Sequence, residues 1–127
     1  MQPLRVLMVD DEIELVQTIV ERLNMRDIDA HGVTSGDEAL EQIERGTFDV
    51  VVIDVKMPGL GGIQLMRMIR ERNPEQQMVL LTGHGSTQDA EEGMRLGAFD
   101  YVMKPIRLEN LVSILQAAAG RGERTDR

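Results

Sequence analysis

Asp49-Val50-Val51-Val52-Ile53-Asp54-Val55-Lys56-Met57-Pro58-Gly59 is the stretch that decides the fold. A strand with one wet face alternates apolar and polar residues, whereas Val50 to Ile53 is apolar without a break. Such a run reads as a strand buried on both faces, as in a parallel sheet covered by helices on either side. Asp54 stands at its end, just before a Pro- and Gly-containing turn. A carboxylate there sits where the sheet hands its chain to a loop, the edge at which open α/β sheets keep their chemistry.

Working outward, short apolar runs alternate with helical patterns five times. The predicted strands are Leu4 to Val9, Ile28 to Val33, Val50 to Ile53, Met78 to Leu81 and Tyr101 to Met103. The first helix, about Glu12 to Met25, presents Val16, Ile19, Val20 and Leu23 on one face, with Asp11 as its expected cap and Glu14 as capping-box partner. The second, Asp37 to Arg45, presents Ala39, Leu40 and Ile43. The third, Gly62 to Arg72, presents Leu65, Met66 and Ile69, and the fifth, Leu108 to Ala119, presents Leu108, Leu111, Val112, Leu115 and Ala118. The fourth, Ser86 to Leu96, has little apolar face beyond Ala90 and Met94, and Gly93 in its middle costs about 1 kcal/mol relative to Ala. It is expected to be the least stable helix and a candidate switch. The fold class is therefore α/β, a flavodoxin-like, doubly wound, five-stranded parallel sheet of order 2-1-3-4-5 with five helices. Residues 1–119 form the domain, and residues 120–127 read as a flexible tail or the start of a linker.

A chain of 127 residues holds one domain with a sizeable core. Aromatics are scarce at 2%, so aliphatic residues and nine methionines fill the interior. Net charge of −8 argues against direct binding to nucleic acid or to an anionic membrane. Without cysteine there is no disulfide, thiolate metal site or thiol nucleophile. No apolar stretch approaches the roughly 18 residues of a spanning helix, and the N-terminus lacks the pattern of a secretion signal, so a cytoplasmic protein is expected.

The expected sheet brings four polar strand ends together: Asp10 with Asp11, Asp54, Thr82, and Lys104. Three carboxylates at about 4 Å would cost roughly 4 kcal/mol per pair at an effective dielectric near 20, so a cation must offset them. Lys104 and a divalent ion are the evident sources. The all-oxygen set favours Mg²⁺ or Mn²⁺ over zinc, and Mg²⁺ characteristically engages phosphate. Asp54 could then act as a nucleophile and form an aspartyl phosphate, with Lys104 stabilising the transferred charge. Each residue alone has a plainer reading. Asp10-Asp11-Glu12 suits a helix N-terminus, Asp54 suits a turn, Thr82 suits a cap and Lys104 suits a solvated surface. Their joint placement at successive strand ends is what favours chemistry. His31 reads as an exposed strand residue; His84 either overhangs the site or serves only its loop.

In these residues the chain resembles the receiver domain of two-component response regulators. The resemblance rests on Val6-Leu7-Met8-Val9-Asp10-Asp11-Glu12, on Asp54 with Met57-Pro58-Gly59 and Gly62, on Thr82-Gly83, and on Gly97-Ala98-Phe99-Asp100-Tyr101-Val102-Met103-Lys104-Pro105. It implies that Asp54 accepts a phosphoryl group from a histidine kinase or phosphotransfer protein, the domain catalysing its own phosphorylation and dephosphorylation while serving as a signalling switch. It implies Mg²⁺ held by Asp11, by Asp10 through water, by Asp54 and by the backbone carbonyl of Lys56. Lys104 would pair with the phosphoryl group, the Lys104-Pro105 bond would be cis, and Thr82 with Tyr101 would form the switch pair. That pair would act on a surface of the fourth helix, fifth strand and fifth helix, read by a downstream protein, a fused output domain or, in a homodimer, a second copy. Gly61 stands where many relatives carry Asp, which implies altered loop flexibility; Lys56 and His84 occupy positions that influence phosphoryl lifetime.

Other functions fit less well. A flavin binder of this fold needs a hydroxyl- and Gly-rich loop after the first strand, where this chain is acidic. An aspartyl phosphatase usually carries a second Asp at position 56, which is Lys, and the dinucleotide glycine fingerprint is missing. Two contexts remain open: a single-domain regulator acting through protein contact, or the N-terminal module of a longer regulator such as a transcription activator.

Overall fold

The computed structural model describes residues 2–83 and 87–120. Five strands and five helices alternate: β1 (Arg5–Val9), α1 (Ile13–Asn24), β2 (Asp29–Val33), α2 (Gly36–Arg45), β3 (Val50–Asp54), α3 (Gly62–Arg72), β4 (Gln77–Thr82), α4 (Thr87–Arg95), β5 (Asp100–Met103) and α5 (Leu108–Ala118). All neighbouring strands are parallel, in the order β2-β1-β3-β4-β5. This is the fold class and strand order expected from the sequence.

The unbroken apolar runs have a direct cause. Successive residues of β3 point to opposite faces, and each face meets its own core. Val50 and Val52 join Val6, Met8, Val79, Leu81 and Val102 under α1 and α5. Val51 and Ile53 join Leu7, Val9, Met78 and Leu80 under α2 and α3. Both layers exclude water, so neither set can be polar.

The helix faces follow the predicted periodicities, with one exception. Met94 of α4 is exposed, and the buried positions of that helix are Ala90 and Gly93. A Cβ on Gly93 would lie 2.0 Å from Leu80 Cδ1, so this glycine is there to let α4 approach the sheet. Ser86, the expected start of this helix, lies outside the described residues, as do His84 and positions 121–127 of the tail. No helix among the described residues is long and apolar enough to cross a membrane.

Helix caps depart from expectation. Asp11 does not cap α1: Glu12 holds the N-cap position without a side-chain cap, and Asp10 Oδ1 accepts the Glu12 N–H at 2.9 Å. The reciprocal cap is at α2, where Ser35 Oγ accepts the Glu38 N–H and Glu38 Oε1 accepts the Thr34 N–H. These contacts from Thr34 hold the Glu38 carboxyl below its ordinary range. At α3 the N-cap is Gly61, which has no side chain to offer.

Candidate functional site

Register brings the site together. Val9 pairs with Ile53, Asp54 with Leu81, and Thr82 with Met103. Asp10, Asp54, Thr82 and Lys104 therefore stand at the same edge of four adjacent strands, β1, β3, β4 and β5. The Lys104 N–H donates to the Thr82 carbonyl at 2.8 Å, extending the ladder one step beyond β5. The Lys104–Pro105 bond is cis.

Asp10 is fully buried and Asp54 is 5% exposed, while Asp11 faces solvent. Carboxylate oxygens of all three lie within 4.8 Å of one another. Burial first, then the charge of Asp10, push the Asp54 carboxyl up from 3.8 to about 6. The Lys56 N–H, donating to Asp54 Oδ1 at 3.2 Å, and the Lys104 charge only partly oppose this rise. Uncompensated repulsion among convergent oxygens is what a hard divalent cation relieves, so the donor set fits Mg²⁺ or Mn²⁺.

Lys104 Nζ sits among carboxylates, 2.8 Å from Asp10 Oδ2, 2.9 Å from Glu12 Oε1 and 3.5 Å from Asp54 Oδ2. Burial works against its charge, but the contacts with Asp10 and Glu12 outweigh that and hold the ammonium's pKa above its ordinary value. The ammonium thus leans toward Asp10 and Glu12, which explains why it lowers the Asp54 carboxyl so little. Glu12 has a role that reading for strand-end residues overlooked. Its only sequence signal is being the third acid in a row.

Thr82 is buried, whereas Tyr101, level with Leu80, is 42% exposed. Both line a pocket of about 440 Å³ between α4 and β5, together with Gly83, Ala90, Met94 and Met103. Lys56 reaches α4 through an ion pair with Asp89 at 3.9 Å. The turn after Asp54 needs its glycines at two places. Gly59 has φ +71°, and a Cβ on Gly62 would lie 2.1 Å from the Asp54 carbonyl oxygen. His31 is exposed and contacts Asp29 Oδ1, remote from these groups in the fold, on β2.

Comparison with known proteins agrees with this geometry. Residues 6–116 match the family model described as the response regulator receiver domain. The chain is 33% identical over 125 residues to the transcriptional regulatory protein TrcR of Mycobacterium tuberculosis, covering 98% of this chain and 49% of TrcR. It is 35% identical over 111 residues to the response regulator protein FleR of Pseudomonas aeruginosa, covering 87% of this chain and 24% of FleR. The chain thus spans a half or less of these relatives. Among solved structures, a response regulator receiver domain protein from Clostridium thermocellum superposes with a TM-score of 0.88 at 32% identity, over 93% of this chain and 95% of that one. The receiver domain of NtrX from Brucella abortus gives 0.86 at 27% identity, over 91% and 98%. By sequence match, strand order and the acid-lined edge of its sheet, the chain belongs to the response regulator receiver domain family.

Proposed function

We propose that the domain is a phosphorylation-driven switch in which Asp54 accepts a phosphoryl group from the phosphohistidine of a sensor histidine kinase or phosphotransfer protein. The observation that carries this reading is the placement of Asp54. It is nearly buried, flanked by Asp10 and Asp11, and 3.5 Å from the Lys104 ammonium. A carboxylate oxygen of Asp54 attacks phosphorus, the P–N bond to the donor imidazole breaks, and the imidazole leaves with that electron pair. With a pKa of about 6 Asp54 is mostly ionised near neutrality, as a nucleophile must be.

Asp11, Asp54 and the Lys56 carbonyl, with Asp10 acting through water, would hold Mg²⁺ or Mn²⁺. The bound ion supplies positive charge beside the transferring phosphoryl oxygens. Lys104 adds its ammonium, 3.5 Å from Asp54 Oδ2, and its tether to the end of β5 fixes where that charge stands. Phosphorylation adds about −1.5 to −2 charge at the sheet edge. Thr82 then turns its hydroxyl to the new oxygens, and Tyr101 swings into the pocket behind it. The open pocket and the exposed ring at its rim support this coupling to the α4–β5–α5 surface.

That surface serves a downstream protein, an output domain fused after residues 1–119 through the segment 120–127, or a second copy in a homodimer. The greater length of TrcR and FleR favours a fused regulator, and the name of TrcR a transcriptional one. The acidic charge of −8 argues against direct nucleic-acid binding by this domain, and we propose the cytoplasm as its place of work. Incubation with Mg²⁺ and acetyl phosphate should yield a base-labile phosphoryl adduct by mass spectrometry. The adduct should vanish in Asp54→Ala; undiminished adduct in that variant would refute the assignment.

A further inference from the structure

Glu12 stands at the N-cap of α1 yet makes no side-chain cap, although the helix N-terminus offers it unsatisfied N–H groups. Its carboxylate instead accepts from Lys104, 92 residues away along the chain, at 2.9 Å. Asp10 reinforces this choice by taking the Glu12 N–H, which fixes the backbone from which the side chain reaches. Lys104 has three donors, and the two nearest acceptors are Asp10 and Glu12, with Asp54 farther off at 3.5 Å. Asp10 is fully buried and holds the ammonium as an ion pair at 2.8 Å, whereas the side-chain hydrogen bond of Lys104 goes to Glu12 Oε1. Glu12 is a mostly exposed side chain and can let go.

From this we infer that Glu12 is a positioning residue that parks the Lys104 ammonium away from Asp54 and so restrains phosphoryl loading. The inference rests on the proposed phosphoryl transfer at Asp54. For Lys104 to meet a phosphoryl group on that residue it must give up or stretch the Glu12 contact, and the parked state raises the barrier by what that contact is worth. An exposed ion pair contributes up to about 1 kcal/mol, so releasing it should accelerate loading about two- to fivefold.

The test compares wild type with Glu12→Gln, which keeps the side-chain shape and removes its charge, and with Glu14→Gln, which neutralises an exposed acid of the same first turn without touching Lys104. Adduct formation with Mg²⁺ and acetyl phosphate should be about two- to fivefold faster in Glu12→Gln and unchanged in Glu14→Gln. In parallel, the ¹⁵N-resolved signal of the Lys104 ammonium, assigned with Lys104→Arg, should shift and broaden in Glu12→Gln alone. Equal or slower loading in Glu12→Gln, or equal acceleration in both variants, would overturn the inference. If wild type forms no adduct at all, the phosphoryl-transfer reading fails. The ammonium signal then still decides whether Glu12 parks Lys104, an unmoved signal counting against it.

Discussion

Val9 and Ile53 are register partners on adjacent parallel strands, so Asp10 and Asp54, the next residue on each, leave the sheet side by side. Two nearly buried carboxylates held together by the sheet cannot relax apart. The site therefore has an electrostatic cost in the resting protein, and that cost can be measured.

In chelator, folding should be sensitive to the ionisation of Asp54. Its folded value, about 6, lies above its ordinary 3.8, so the folded state binds the proton more tightly than the unfolded chain. Stability is thus greatest below about 4 with respect to this group, and is lost as pH rises through about 6. Asp54→Asn should be more stable than wild type by about 1–3 kcal/mol at pH 8. The advantage should shrink through pH 6 and be gone near pH 4. Urea denaturation at those three pH values checks it; equal stability at pH 8 would show that the carboxylate cluster costs nothing.

Added Mg²⁺ should reverse the same cost. At a hundredfold excess over its dissociation constant the wild type should gain about 2.7 kcal/mol. Asp11→Asn, which neutralises a solvent-facing member of the proposed ligand set without disturbing the core, should lose most of that gain. Thermal melts across a Mg²⁺ series give both numbers, and identical gains would remove Asp11 from the ligand set.

Gly62→Ala should damage the site from behind. The added Cβ would meet the Asp54 carbonyl oxygen at 2.1 Å and Val55 Cα at 2.7 Å, backbone that cannot step aside as a side chain can. A loss of about 1–3 kcal/mol is expected, together with slower phosphoryl loading because the end of β3 must shift. Chemical denaturation and the acetyl phosphate assay read the two effects separately.

Caps away from the chemistry should change stability alone. Ser35→Ala removes the acceptor for the Glu38 N–H and should cost about 1 kcal/mol with an unchanged loading rate. Gly61→Asp supplies the side chain α3 lacks and should gain a few tenths of a kcal/mol, about the difference between Gly and Asp caps. The Glu38 contribution, from a carboxyl held low by Thr34, is present above its ordinary 4.5 and is lost as pH falls through the lowered folded value.

The sheet was legible because β3 is apolar without a break from Val50 to Ile53, and only two helical layers can make that so. Strand ends were less clear. Asp54 and Thr82 belong to their strands, as do Gln77 and Asp100, though the apolar runs stop one residue short of each. Periodicity reads side chains, whereas a ladder is made by backbone groups that any residue carries. The polar cluster could be foreseen because its members close successive strands. The Glu12–Lys104 pair could not, since a contact across 92 residues leaves no local pattern. The same holds for Arg70, which donates to the carbonyls of Pro74, Gln76 and Gly97 and ties α3 to the approach of β5. The predicted Asp11 cap failed because α1 begins one residue later, at Ile13, which puts Glu12 at the N-cap and leaves Asp11 outside the helix.

Lys104 follows β5, the last strand in the chain and an edge of the sheet, while Asp10 and Asp11 follow β1, the first in the chain. The acids therefore rest on the central strands β1 and β3, whereas the ammonium 3.5 Å from Asp54 rests on the end of β5. The one ammonium within reach of Asp54 among the described residues thus hangs on the docking of an edge strand. Loosening β5 from β4 would strip the acidic cluster of its counter-charge while leaving its carboxylates in place.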